Sequence, residues 1–287
     1  MTAVSQAETL GNCGVEIKEV DAQRIVALNQ HVTELLLQLG LGDRMVGTAY
    51  ADDEIWQPLA SAYRKVPVLS DYYPTREQML FSETDFIVGG FSSAFSTMGV
   101  GERSWWQQRG IESYLLPSNC REQDSLDAVW QAINELGRLL QVKNSAKKEI
   151  MRQQDMLGRV QPVTRPLKVL LWLRGEDAPY VAGGVGIGQE IIARAGGINI
   201  ASELQRPWAN LTWEAVLLAK PDLIVMVDSN WSPASSKKAF VKKQAGLNLG
   251  IGSVPDINMP FSETTAGIRT VEGVLRLNKA LVELESR

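Results

Sequence analysis

Short apolar runs of β type, each followed by a loop and then by a segment with helical spacing, recur along this chain, and that alternation limits the fold more than any other feature. Residues 24–28 (RIVAL) lead through Asn29-Gln30-His31 into residues 32–39, whose leucines recur at helical intervals before Gly40. Strand-type runs return at 45–49, 66–69, 85–88 and 113–116, the last two after helix-type segments at 76–81 and 105–109. Beyond Pro162 and Pro166 the pattern restarts. Residues 168–173 read as a strand, 181–184 as a turn, 189–195 and 213–219 as helices, 223–227 and 253–257 as strands, and 270–284 as a last helix. Such alternation predicts an α/β fold with central, mainly parallel sheets covered by helices, that is, Rossmann-like units.

The stretch 125–161 interrupts the alternation. It has no interior proline, and Leu126, Val129, Ile133, Leu136, Leu139 and Leu140 form one apolar stripe, whereas 147–155 is largely polar. Gly137 and the cap-like pair Asn144-Ser145 predict two successive helices, the second spanning roughly 25 Å at 1.5 Å per residue. With 287 residues, 45% of them apolar, the chain can fill two lobes. The expected division is an N-terminal extension at 1–23, a lobe at 24–143, a connecting helix at 144–162 and a second lobe at 163–287.

Composition narrows the function. A net charge of −4 without a polybasic run gives no support to a nucleic-acid partner. No run of about 18 apolar residues is present to span a bilayer as a helix. The first residues, MTAVSQAETLGN, lack the basic start and apolar segment of an export signal, so any such signal is expected to have been removed or never to have existed. Leu10-Gly11-Asn12-Cys13 is only a faint lipoprotein-like site, since asparagine precedes the cysteine. Cys13 and Cys120 lie in no CxxC or Cys/His cluster, which disfavours a zinc or iron–sulfur site. Two outcomes stay open for them: a disulfide closing a loop of about 100 residues, stabilising by ~4–5 kcal/mol in the chain-entropy model, or two unconnected thiols.

In open α/β sheets ligands sit beyond the carboxyl ends of the strands. That places Asn29–His31, 50–53, 70–73 and 90–95 on one rim, and 172–174, 206–208, 228–231 and 260–265 on another. The rims carry Tyr50, Tyr72, Tyr73, Phe91 and Phe95 in the first half and Trp172, Trp208, Trp231 and Phe261 in the second, suited to a flat, partly apolar ligand. Arg103, Arg174 and Arg206 in or near these loops, with Arg269 after the last, could pair with carboxylate or catecholate oxygens; for each, the alternative is a solvated surface charge. His31, the chain's only histidine, is open to two roles: axial ligand to a chelated metal, or hydrogen-bonding partner of a ligand or neighbour. A bare zinc or manganese site would want several such donors, so no direct metal ligand is expected. Gly184-x-Gly186-x-Gly188 before a helix invites a nucleotide-phosphate reading, and with it a Rossmann-type oxidoreductase. The spacing is not GxGxxG, no Walker lysine follows, and no GxSxG elbow occurs.

The halves share a segment. Thr75-Arg76-Glu77 followed by Asp85-Phe86-Ile87-Val88 matches Thr212-Trp213-Glu214 followed by Asp222-Leu223-Ile224-Val225, with the same spacing between the acids. Each threonine can cap a helix, and each glutamate falls in a first turn, where the dipole favours an anion by ~0.3–1 kcal/mol. Together with RIVALNQHVTELLLQLGLGDRMVGTAY, TREQMLFSETDFIV, YVAGGVGIGQEIIARAGGINIAS, LTWEAVLLAKPDLIVMVD and the central helix, these segments resemble the substrate-binding proteins of ABC importers for ferric siderophores and cobalamin, from Arg24 to Leu284. The resemblance implies two α/β lobes joined by one long helix, a ligand in the cleft between them and a periplasmic or lipid-anchored location; a single rigid helix between lobes allows only limited hinge motion, so little closure on binding is expected. No enzymatic activity is expected. The resemblance also implies that Glu77 and Glu214 dock onto arginines of a permease dimer. The expected ligand is an iron(III)–siderophore complex, with a cobalamin or other corrinoid, or haem, as alternatives on the same fold. The chain is expected to act as a monomer and to need no cofactor. A purely structural or adaptor protein of the same shape would lack a ligand.

Overall fold

The computed structural model describes residues 9–120 and 124–286. Among them, 9–120 with 127–151 form one compact unit, and 124–126 with 152–286 form another.

The first unit opens on a hairpin, β1 (Thr9–Asn12) and β2 (Val15–Lys18). It turns through Cys13 and Gly14, both at positive φ (49° and 78°), as a two-residue loop of the type that matches strand twist requires. Then come β3 (Ile25–Ala27), α1 (Gln30–Gln38), β4 (Met45–Ala49), α2 (Ala60–Tyr63), β5 (Val68–Ser70), α3 (Arg76–Phe81), β6 (Phe86–Gly89), α4 (Arg103–Gln107) and β7 (Glu112–Leu115). The last five strands pair in parallel in the order β5-β4-β3-β6-β7. The chain fills one side of β3 and then the other, so strand order reverses between β3 and β6. Val26, Leu28, Met79, Ile87, Phe95, Trp106 and Leu115 make a core on this sheet.

As the last strand of its sheet, β7 would leave backbone groups open. The Asn12 carboxamide covers them: its Nδ2 donates to Leu115 O and its Oδ1 accepts from Leu115 N–H, both at 2.9 Å, as a paired strand would. The buried Arg103 guanidinium donates to Asn12 O (2.8 Å), Ser113 Oγ (3.0 Å) and Ser113 O (2.6 Å). A Cys13–Cys120 disulfide ties the hairpin turn to the loop after β7. Residues 9–18, read from the sequence as part of an extension, are therefore built into the edge of this unit.

The central stretch is two helices, α5 (Leu126–Leu139) and α6 (Lys143–Leu157). Gln141, at φ 60°, breaks them, and Val142 N–H returns to Gly137 O at 2.7 Å. A side chain at Gly137 would collide with Ala146, which is why glycine stands at this crossing. One division between the units falls inside α6, after Met151. On the first side Glu149 accepts from Gln38 of α1 at 2.7 Å; on the second, Arg152 pairs with Glu272 at 3.1 Å.

The second unit runs β8 (Lys168–Arg174), β9 (Tyr180–Ala182), α7 (Gly186–Arg194), β10 (Ile198–Asn199), β11 (Trp208–Asn210), α8 (Trp213–Ala219), β12 (Leu223–Asp228), α9 (Ala234–Lys243), α10 (Ala245–Ile251), β13 (Asp256–Pro260) and α11 (Thr270–Glu285). Its sheet has the order β11-β9-β8-β12-β13, with β10 also on β8. β8, β10, β12 and β13 are parallel, while β9 runs against them and β11, antiparallel to β9, runs with them again. Residues 181–184 read as a turn because of Gly183-Gly184, yet Val181 and Ala182 are buried in β9 beside Trp172.

The repeated segments fold alike. Asp85 accepts from the amides of Gln23 (2.9 Å) and Arg24 (3.0 Å) at the start of β3, and its own N–H donates to Arg24 O (2.9 Å). Asp222 accepts from Lys168 N–H and donates its N–H to Lys168 O at the start of β8, both at 2.8 Å. Thr75 caps α3 through Gln78 N–H and Thr212 caps α8 through Ala215 N–H, both at 3.2 Å.

Candidate functional site

In the first unit the carboxyl ends of β3 and β6 flank the reversal point, where a parallel sheet opens a crevice. Asn29, just beyond β3, fills it. Its Oδ1 accepts from Gly90 N–H (3.0 Å) and Phe91 N–H (3.3 Å), and its Nδ2 donates to Tyr73 Oη (3.2 Å). Tyr73 Oη also shares a 2.8 Å bond with Ser93 Oγ. Asn119 closes the far side, donating to Gly90 O (2.7 Å) and accepting from Ser92 N–H (2.8 Å).

His31 lies beneath this surface, 3% exposed, with a hydrogen bond to the Gly90 backbone and its ring 4.7 Å from Phe91. A Cβ at Gly90 would collide with the imidazole, so glycine is what lets the two strand ends meet. Burial pulls the His31 pKa down to about 4, leaving the ring neutral. Of its two open roles, the structure places it as a partner of its neighbours.

Three tyrosines form the outer face. Tyr50, with φ at 59°, holds its ring edge-on to Tyr72 (5.6 Å) and Tyr73 (4.9 Å). A non-glycine residue in that region is strained, and the turn is enforced by Gln30, whose Oε1 accepts from Asp52 N–H (2.8 Å) and Asp53 N–H (2.9 Å). Tyr72 is 71% exposed, whereas Tyr50, Tyr73 and Phe91 are half-buried. Burial, with Asp52 nearby, raises the phenol pKa values of Tyr50 and Tyr73, so they stay protonated donors at neutral pH. Phe95 is not on this face: it is buried in the core against Val26 and Ile87. Arg103, also read as a ligand residue, is consumed by the hairpin contacts, and burial lowers its pKa to about 10, still well above neutrality.

In the second unit the carboxyl ends of β8, β12 and β13 carry Arg174, Trp231 and Phe261. Trp231 is 44% exposed and meets Phe261 edge-on at 5.2 Å, and the exposed Arg174 lies 5.0 Å over Tyr180. Trp172 is fully buried in β8, 4.9 Å from Trp213, and offers nothing to a ligand. Arg206 and Trp208 are displaced for a topological reason. Because β11 runs antiparallel to β9, Asn210 pairs with Tyr180 beside Arg174, while Trp208 pairs with Ala182 further back, where it stacks at 6.2 Å on Tyr180. The loop before β11 therefore leaves the carboxyl-end rim.

Buried charges hold this rim. Lys237, unremarked in the sequence, donates its Nζ to Val227 O (2.7 Å), Ser232 O (2.8 Å) and Ser232 Oγ (2.9 Å), pinning the loop that carries Trp231. Desolvation lowers its pKa to about 8, with Asp228 opposing. Glu263 takes Arg276 at 2.6 and 2.8 Å and Arg269 at 3.5 Å, fixing the loop after Phe261 and removing Arg269 from the candidates. A lysine on a mostly polar helix reads as solvated, so no sequence signal marks Lys237.

The glycines before α7 have a packing role. Gly183 N–H bonds Pro207 O (2.9 Å), Gly184 N–H bonds Leu204 O (2.6 Å), and side chains there would strike the backbone of Arg206 and Ser202. The nucleotide reading thereby loses its motif. Among the described residues no group of three or more His, Cys, Asp or Glu side chains could hold a metal, and no helix is long and apolar enough to cross a membrane. Glu77 and Glu214 are exposed in the first turns of α3 and α8, and four residues on from each stand exposed apolar side chains, Phe81 (92%) and Leu218 (82%).

A family model described as "Periplasmic binding protein" matches residues 25–248. An uncharacterised ABC transporter substrate-binding lipoprotein of Bacillus subtilis (strain 168) is 23% identical over 94% of this chain and 83% of its own length. A vitamin B12-binding protein of Yersinia pestis (strain Pestoides F) is 25% identical over 76% and 74%. Among solved structures, a periplasmic binding protein from Veillonella parvula DSM 2008 superposes with a TM-score of 0.84, at 25% identity, over 95% of this chain and 96% of that one. An ABC-type Fe3+-hydroxamate transport system protein from Saccharomonospora viridis DSM 43017 gives 0.80 at 21% identity over 95% and 98%. A periplasmic heme-binding protein from Roseiflexus sp. RS-1 gives 0.74 at 23% identity over 92% and 99%.

Proposed function

Because the chain belongs to the periplasmic binding protein family, we propose that it is the substrate-binding component of an ABC importer and captures a metal chelate, foremost a ferric siderophore, without transforming it. One observation carries this reading: aromatic rings gather at the carboxyl ends of the parallel strands, Tyr50, Tyr72 and Tyr73 in one unit and Trp231 with Phe261 in the other, with Tyr72 and Trp231 exposed and the rest partly so. Rings of this kind cover the apolar flanks of a chelate, and their polar edges meet its oxygens. No side-chain ligand to the metal is required, since a chelate brings its own. Glu77 and Glu214, on matching helices of the two repeated segments, are proposed to meet basic residues of a two-subunit permease. The Cys13–Cys120 bridge fits an extracytoplasmic site of action.

Titration of the protein with ferric siderophores, corrinoids, haem and NAD(P), read by tryptophan fluorescence, tests the reading. Saturable quenching by a chelate is expected, and a response to the dinucleotide alone overturns it. A second reading, a corrinoid as cargo, draws on the B12-binding relative and is decided by the same titration. Glu77→Lys with Glu214→Lys should leave chelate affinity intact and abolish uptake by cells that depend on this importer; normal uptake removes the docking role.

A further inference from the structure

We propose that the chelate is one of zero or positive net charge, of the ferric trihydroxamate type, in place of an anionic tricatecholate, citrate-like or haem ligand; this rests on the chelate-binding reading above. Anionic siderophores need guanidinium or ammonium partners, and the structure accounts for all but Arg174 of the arginines that sequence alone would offer them. Arg103 is bound inside the first unit by Asn12 and Ser113. Arg269 is buried against Glu263. Arg206 precedes β11, which runs with β8 and so begins away from the carboxyl-end rim. Arg76, at the start of α3, donates to Val100 O at 3.1 Å and lies 4.7 Å over Trp105. Lys237 is held beneath the second rim by Val227 and Ser232.

What stays accessible has the opposite sign. Residues 28–31, 50–56, 70–75 and 90–100, which make the aromatic rim of the first unit, contain no lysine or arginine, but include Glu54 and Asp71. Glu54 and Asp71 are exposed. Along 174–180 of the second unit, exposed Glu176 and Asp177 outnumber Arg174. Ferric iron carries three positive charges. Three hydroxamates, each contributing one negative charge, give a neutral complex; three catecholates, each contributing two, give a trianion. The aromatic rims can accept the first by apolar and hydrogen-bonding contact, whereas the second would face like charges with one exposed arginine in compensation.

The experiment holds the chelate constant and varies its charge: the ferric complex of a linear trihydroxamate bearing a terminal ammonium, the same complex N-acetylated, and the same complex N-succinylated. Dissociation constants come from tryptophan quenching at about 20 mM and 500 mM salt. The cationic form is expected to bind at least about tenfold more tightly than the succinylated one at low salt, with the ratio shrinking as screening shortens the field. Glu54→Lys with Asp71→Lys, both exposed and thus tolerable to the fold, should flatten or invert that order. Equal or tighter binding of the succinylated form overturns the proposal, as does binding of a ferric tricatecholate or haem with none of the three hydroxamates; in both cases the chelate-binding reading stands. If no chelate binds at all, both fall.

Discussion

The single histidine gives an acid dependence that can be read without interference. His31 is buried at the β3–β6 reversal, and its pKa is held at about 4 against an ordinary 6.5, chiefly by desolvation. The unfolded chain therefore takes up a proton as pH falls below 6.5, and the folded chain refuses it until about 4. Between those values the unfolded state binds more protons, so stability falls as pH falls and is fully recovered above 6.5. Over the whole window this amounts to about 3 kcal/mol, and about 2 kcal/mol of it is lost between pH 7 and pH 5. Ordinary carboxylates titrate near 4, below most of that range. Urea unfolding at half-unit steps from pH 7 to 5 should show the loss in the wild type and its near absence in His31→Gln, whatever the variant's stability at pH 7. Equal pH slopes in the two proteins would refute the assignment of His31 as a buried neutral ring.

Reducing the Cys13–Cys120 bridge, or replacing both residues with serine, should lower stability by about 4 to 5 kcal/mol, the chain-entropy value for the 107-residue separation, in chemical denaturation; a loss under 1 kcal/mol would show that the bridge does not act by restricting the unfolded chain. Trp172→Ala should cost about 3–5 kcal/mol through a core cavity, whereas Trp231→Ala should change stability by no more than about 0.5 kcal/mol and weaken chelate binding; the reverse pattern in calorimetry and titration would exchange their roles.

The fold was legible because its signals are local and repeated. Apolar runs such as 24–28 and 223–227 hold the buried strands β3 and β12, and the break predicted near Asn144 falls at Gln141. Where the reading failed, the cause was a contact distant in sequence. Arg103 and Trp172 resemble ligand residues when only the loop is considered; their burial depends on Asn12, 91 residues before Arg103, and on Trp213. Arg206 and Trp208 read as a rim loop because 206–208 carries no strand signal, yet β11 begins at Trp208 and runs in the direction of β8, so the loop before it lies away from the carboxyl ends. Glycine in 181–184 signals a turn, whereas its role there is to let one backbone pass close to another.

The repeated segments bear differently on the two acids they share. Asp85 and Asp222 need no partner outside the chain, because each carboxylate and each amide hooks the first strand of its own sheet. Glu77 and Glu214 could likewise be explained by the helix dipole, were it not for what lies beside them. Residues four apart share a helix face, so Phe81 stands next to Glu77 and Leu218 next to Glu214. Large apolar side chains exposed at 92% and 82% gain nothing from a helix end and are unfavourable in water. A dipole explains an acid; it does not explain an acid paired with an exposed apolar residue at the same spacing in both halves. A partner with two equivalent surfaces, such as the two-subunit permease proposed above, would account for both.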